Sequence, residues 1–250
     1  MTDAKCSTRN SIIELYSQLA SNPEMNFGWD KGLSNAISHG YHKEWIEVIP
    51  ESIWQYCAAV GNPFHLGKFN PGDSVLDIGC GAGIDLCVAS ILVGKAGRVT
   101  GVDLTPAMVE LARHNAQQAG LDNITVFQGS IDLLPFDDSA FNIVISNGAI
   151  NLCSHKDNVF QEIFRVLTPG GHLYFADMIN IKDDYRSNCR LQDAGSHEES
   201  WADCVAGTLK AEALITLMIA AGFTQVKQVS LTHYKTSEST VGATFSAYKI

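Results

Sequence analysis

With 250 residues the chain has room for one large domain or two small ones, and its 46% apolar and 9% aromatic content supplies a sizeable core. A disordered or fibrous protein is excluded on that composition. The 17 Lys plus Arg against 27 Asp plus Glu leave a formal charge of −10, which disfavours a broad nucleic-acid or anionic-membrane footprint.

In chain order, residues 12–19 and 44–56 read as short amphipathic helices in a stretch dense in aromatics, from Tyr16 and Phe27 to Trp54 and Tyr56. No Pro/Gly/Ser linker follows, yet the character changes near residue 70. From there apolar runs alternate with helical segments, the pattern of βαβ units on a parallel sheet. Strands are predicted over 74–78, 98–103, 124–128, 141–146 and 172–178, with helices over 84–92, 106–119 and 156–167 between them. Thr105 caps the second of these helices, with Pro106 at its first position where a missing N–H costs nothing. Gly120 ends that helix, and Pro169-Gly170-Gly171 breaks the chain after the third. A last helix over 211–221 precedes two strands, 225–233 and 243–248. No crossover helix separates those two, so they should pair antiparallel. The expected fold is α/β: a Rossmann-like, doubly wound, seven-stranded sheet with an antiparallel last strand. An N-terminal helical lid over residues 1–69 would accompany a domain over 70–250.

The sharpest local signal is Asp77-Ile78-Gly79-Cys80-Gly81-Ala82-Gly83 at the end of the first strand. Glycines there let the backbone turn tightly and let a ligand approach with no Cβ in the way. Their spacing is G-x-G-x-G with Ile84 next, whereas a nicotinamide or flavin fingerprint requires G-x-G-x-x-G. The second strand ends at Asp103, about 20 residues beyond the loop, where a carboxylate accepts the hydroxyls of a ribose. Loop and acid together indicate an adenosine-type ligand.

Together with Gly101-Val102-Asp103, Gly129 to Pro135 and Leu167 to Gly171, this loop resembles a class I S-adenosylmethionine-dependent methyltransferase. The resemblance implies S-adenosyl-L-methionine as cofactor. Asp77 and the backbone of Gly79, Cys80 and Gly81 would hold its methionine moiety, and Asp103 its ribose. Leu104 and Met108 would pack near the adenine, and Ile131, beside Ser130 and Asp132, would offer its backbone to the adenine edge. Ordinary core packing is the other reading for Leu104, Met108 and Ile131. Asn147 would line the methionine and acceptor side.

A narrower resemblance rests on Gly61-Asn62-Pro63, Ser146 to Leu152, Lys156 to Phe160 and Asp203 to Leu209, and is to the arsenite methyltransferases. That family holds trivalent arsenic through thiolates, soft ligands for a soft metalloid. Two of its three cysteine positions are Val60 and Gly148 here, and only Cys204 remains. Cys57, Cys80 and Cys153 lie nearby in sequence. The expected enzyme therefore methylates a different small-molecule acceptor by in-line displacement.

Asn147, Asn151 and Tyr16 are the candidate catalytic residues, with Tyr16, Phe27 and Trp29 as aromatic faces for a sulfonium. True arsenite methylation, cyclisation of the cofactor without an external acceptor, and a catalytically silent cofactor-binding protein are the rival readings. No apolar run reaches the ~20 residues of a membrane span, and the polar first ten residues lack the apolar stretch of a secretion signal. The 7 cysteines contain no C-x-x-C pair, so neither a metal site nor a disulfide framework is expected. A reducing, cytoplasmic setting without nucleic-acid or membrane partners fits these features. Oligomeric state is not legible.

Overall fold

The computed structural model describes residues 3–182 and 207–250. Seven strands form one sheet: β1 (Ser74–Ile78), β2 (Arg98–Asp103), β3 (Ile124–Gln128), β4 (Phe141–Asn147), β5 (Leu167–Asn180), β6 (Thr224–Leu231) and β7 (Thr240–Tyr248). Their spatial order is β3-β2-β1-β4-β5-β7-β6. The first five run parallel, and β7 lies between β5 and β6, antiparallel to both. All five residues of β1 are buried, as a central parallel strand covered on both faces requires.

Four helices accompany the strands: α5 (Ile84–Val93), α6 (Pro106–Gln118), α7 (Lys156–Val166) and α8 (Ala211–Ala220). Ahead of the sheet come α1 (Asp3–Ser21), α2 (Leu33–Ser38), α3 (Lys43–Val48) and α4 (Glu51–Trp54). The single helix predicted over 44–56 is broken, because Pro50 lacks an N–H and drives Ile49 out of the helical region to ψ 129°. Pro169-Gly170-Gly171 does not end the secondary structure either. Leu167 already pairs with Phe141, the register then shifts, and pairing resumes at His172 with Ile143, so the three residues form an irregularity within β5. Thr105 occupies the N-cap of α6, but its hydroxyl does not cap the helix.

The N-terminal segment packs as part of the core. Ile53 and Trp54 are fully buried in one cluster with Val75 of β1 and with Leu86, Cys87 and Val88 of α5. Tyr41 meets Trp45, Trp54 and Phe64 edge-on, at centroid distances of 6.3, 5.8 and 6.2 Å. This explains α5, which is apolar on nearly every side: the sheet covers one face and the aromatic segment shares its core. No break in packing marks residue 69. No helix among the described residues is long and apolar enough to cross a membrane.

Trp54→Ala should therefore cost about 3–5 kcal/mol. Urea denaturation reads this as a lowered midpoint at unchanged slope. A loss under about 1 kcal/mol would mean that the segment rests loosely on the surface.

Candidate active site

At the carboxyl end of β1 the chain turns through Gly79 and Gly81, at φ 72° and 50°. The N–H groups of Gly79 and Cys80 both donate to the Val102 carbonyl, at 2.8 and 3.1 Å, so the turn is pinned to β2. A Cβ on Gly79 would lie 2.2 Å from the Ala149 Cβ, a clash that only glycine avoids. A Cβ on Gly81 would meet nothing within 4 Å, so the tip of the turn faces open space.

Three carboxylates gather behind this loop. Asp103 accepts the Gly81 N–H at 2.9 Å through one oxygen and the Thr105 N–H at 2.8 Å through the other. Each oxygen keeps a lone pair for a further donor. Asp85, in the first turn of α5, accepts the Tyr41 hydroxyl at 2.6 Å and the Asn147 amide at 3.1 Å. Burial pushes its pKa up to about 6 against those two hydrogen bonds, which lower it. Asp77 is 2% exposed and accepts no hydrogen bond from the described residues. Burial first, then the charges of Asp85 and Asp103, hold its carboxyl well above the ordinary range. None of the ion pairs among the described residues reaches these three acids. Among the described residues these acids have no cation as a partner.

Asn147 lies at the centre of this arrangement. Its side-chain oxygen accepts the N–H groups of Val60 at 2.9 Å and Gly61 at 3.4 Å. Its NH2 donates to the Gly61 carbonyl at 3.0 Å, the Tyr41 hydroxyl at 3.2 Å and Asp85. So committed an amide is a clamp, and the catalytic role expected of it becomes one of positioning. Asn151 is separate, in a buried polar knot. Its N–H donates to Asp177 at 2.9 Å and its carbonyl accepts from Lys156 at 2.9 Å. Tyr16 sits on α1, half-buried against the core on a helix that packs along α6.

Among the expected adenine neighbours, Leu104 is half-buried directly after Asp103, whereas Met108 is 1% exposed within the core and presents no surface to a ligand. Ser130 and Ile131 are half-buried in the loop after β3. Ser130 is hydrogen-bonded to Asp132. Glu162 accepts the Leu134 N–H at 2.7 Å, and Arg165 donates to the Leu134 and Phe136 carbonyls at 3.1 and 2.7 Å, which secures that loop. Cys80 is buried, and burial together with Asp103 and Asp77 pushes its thiol far up, so it fills space. Tyr41 and Asp85 were missed from sequence. The signal for Asp85 was a lone acid in an otherwise apolar helix; nothing local marked Tyr41.

The fold also brings Val60 and Gly148 together: a Cβ on Gly148 would lie 3.1 Å from the Val60 Cγ2. Cys204 lies outside the described residues.

A family model described as a methyltransferase domain matches residues 69–225. The chain belongs to that family. An arsenite methyltransferase of Halobacterium salinarum is 36% identical over 170 residues, which are 67% of this chain and 41% of that relative. A ubiquinone/menaquinone biosynthesis C-methyltransferase, UbiE, of Photorhabdus laumondii is 24% identical over 247 residues, 92% of this chain and 90% of the relative. The crystal structure of an arsenic(III) S-adenosylmethionine methyltransferase from Chlamydomonas reinhardtii superposes with a TM-score of 0.68 at 31% identity, over 83% of this chain and 73% of that one. The match to the curated arsenite relative thus spans about two fifths of its length.

The residues of the site fit S-adenosyl-L-methionine. A buried carboxylate with no donor, Asp77, faces the requirement of a cationic ligand, and the open tip at Gly81 leaves room beside it.

Asp103→Ala removes a charged acceptor worth about 1.5–3 kcal/mol. Calorimetry should show cofactor binding at least tenfold weaker, and unchanged affinity would exclude Asp103 from the site. The raised Asp77 carboxyl adds a pH dependence. A carboxyl whose pKa is raised in the empty protein stays protonated above the ordinary range, and only its ionised form attracts a cation. Affinity should therefore climb as pH rises above the ordinary carboxylate range, and Asp77→Asn should flatten the climb.

Proposed function

We propose that the protein transfers the methyl group of S-adenosyl-L-methionine to a small-molecule acceptor other than arsenite. The observation that carries this reading is the contact between Val60 and Gly148. The two positions where the resembling family holds arsenic through thiolates are neighbours in space here, and neither has a thiol.

Among the described residues the other thiols give no substitute. Cys57 is buried and its pKa is pushed up by burial and by Asp85. Burial pushes Cys87 up to about 12 and raises Cys153 as well. A thiol held protonated is a poor ligand and a poor nucleophile.

When bound, the cofactor would supply an electrophilic methyl on a sulfonium, with the neutral thioether as leaving group. Asp77 would face its cationic methionine end, Asp103 would accept from the ribose, and Leu104 and Ile131 would flank the base. Asn147 holds the 60–61 backbone at the acceptor side, and Asp85 and Tyr41 hold Asn147. The aromatic segment from Tyr41 to Phe64 keeps water from the back of the site, which strengthens every charge interaction within it. Tyr16 belongs to the outer cover and Asn151 to the support of the turn after β4. The charge of −10 supports action in the cytoplasm without nucleic-acid or membrane partners.

Incubation with S-adenosylmethionine and a metabolite extract of the native host should release S-adenosylhomocysteine. Methylthioadenosine instead would indicate cyclisation of the cofactor, and intact cofactor despite tight binding would indicate a silent binding protein. With arsenite and thiol, no methylated arsenical should form. Robust methylarsenic product that disappears in Cys204→Ser would overturn the choice of acceptor.

A further inference from the structure

Two buried side-chain nitrogens on the acceptor side have no hydrogen-bond partner: Nε1 of Trp29 and Nε2 of His39. Such orphans are rare in folded proteins and call for an explanation. Both border one small cluster. Trp29 packs against the cluster of Val60, Ala176, Met178 and Tyr234, and the His39 ring lies 5.8 Å from Tyr234. Val60 in turn abuts Gly148, whose neighbour Ala149 meets the glycine loop at Gly79. A short chain of packed, mainly apolar residues therefore links the glycine loop to the cluster beside the two nitrogens.

His39 is 8% exposed and stacks on His233 at 4.6 Å. Burial, with His233 beside it, pushes its pKa down to about 4, and Asp30 raises it only in part. Near neutral pH it is an uncharged imidazole, able to accept or donate one hydrogen bond. The indole of Trp29 is a donor only. A charged group buried against them would lose its hydration for a single neutral hydrogen bond, which does not offset that cost.

We propose that Trp29 and His39 form the polar end of the acceptor site, and that the acceptor is a neutral, mainly apolar molecule carrying hydroxyl or carbonyl oxygen. This rests on the methyl-transfer reading above and names its substrate class. The oxygen accepts from the indole N–H, and a hydroxyl donates to the neutral imidazole. Without acceptor the two nitrogens are shut in against apolar neighbours, so Trp29 shifts to admit the molecule. It lies in a turn bracketed by Gly28 and Gly32, at φ 81° and 88°.

The test uses the full chain, S-adenosylmethionine labelled with CD3 at the methyl, and a metabolite extract of the native host. The labelled product should be neutral, contain oxygen and partition into ethyl acetate. Trp29→Phe, which keeps a ring and loses only the N–H, and His39→Leu should each lower its yield at least tenfold. Both variants should bind S-adenosylhomocysteine as the wild type does, which also shows that they fold. His39→Gln, retaining a hydrogen-bonding group, should recover part of the yield. Independently of turnover, the demethyl form of the identified product, added with S-adenosylhomocysteine, should move the Trp29 indole N–H resonance. A charged product, full yield in both variants, or an unmoved indole resonance overturns the proposal. No labelled product at all, with cofactor binding intact, overturns the methyl-transfer reading beneath it.

Discussion

Tyr41, Asp85 and Asn147 join three distant stretches of chain at one buried point, and the site is organised around that junction. Tyr41 comes from the aromatic segment ahead of the sheet, Asp85 from the first turn of α5 and Asn147 from the end of β4. Through Asn147 the backbone of residues 60 and 61 is held as well. Burying Asp85 is costly, since desolvation penalises its charged form. Two directed hydrogen bonds offset this, each to a charged group and worth about 1.5–3 kcal/mol. The result is a carboxylate that fixes where the N-terminal segment meets the sheet.

The same junction fixes the electrostatics. The sheet order places β1 between β2 and β4, so the carboxyl ends of these strands flank the crevice where an open α/β sheet takes its ligand. Asp77, Asp85 and Asp103 all lie there, and each is held up by burial. Asp85 has its donors from Tyr41 and Asn147, and Asp103 has backbone donors from Gly81 and Thr105. Among the described residues Asp77 alone has no donor, so its burial is the least compensated of the three and its carboxyl is the one held furthest from ionising.

What was legible in the sequence was what is local. The boundaries of β1, β2 and β3 follow from short runs rich in β-branched and apolar residues, and the glycine loop and Asp103 stand in a short span with a fixed chemical spacing. The break at Pro50 was a local signal passed over, whereas the irregularity at Pro169 was misjudged because pairing with β4 decides it. Asn147 was singled out from the sequence, and the structure gives it hydrogen bonds to Tyr41 and Asp85. Its work was not readable, because its partners lie 62 to 106 positions away in the chain. Met108 shows the converse, a residue at the right place in the motif whose side chain the core has absorbed.

The junction also explains how the acceptor chemistry can differ while the scaffold stays. Residue 60 is held by its backbone at both ends: its N–H donates to Asn147 and its carbonyl accepts from Thr232 at 2.8 Å. Neither bond involves the side chain, so the side chain can change without loosening the clamp. Position 148 is held likewise, by an N–H that donates to the Ala176 carbonyl at 2.9 Å. There the backbone has φ 74°, a conformation that costs an L side chain about 1–2 kcal/mol. Val60 closes against that glycine, so a cysteine at 148 would meet both backbone strain and the Val60 methyl. Restoring a thiolate pair would require the two positions to change together with the local backbone. The contact at 60 and 148 is therefore built into the backbone of the β4 turn, and a thiolate pair is not one substitution away.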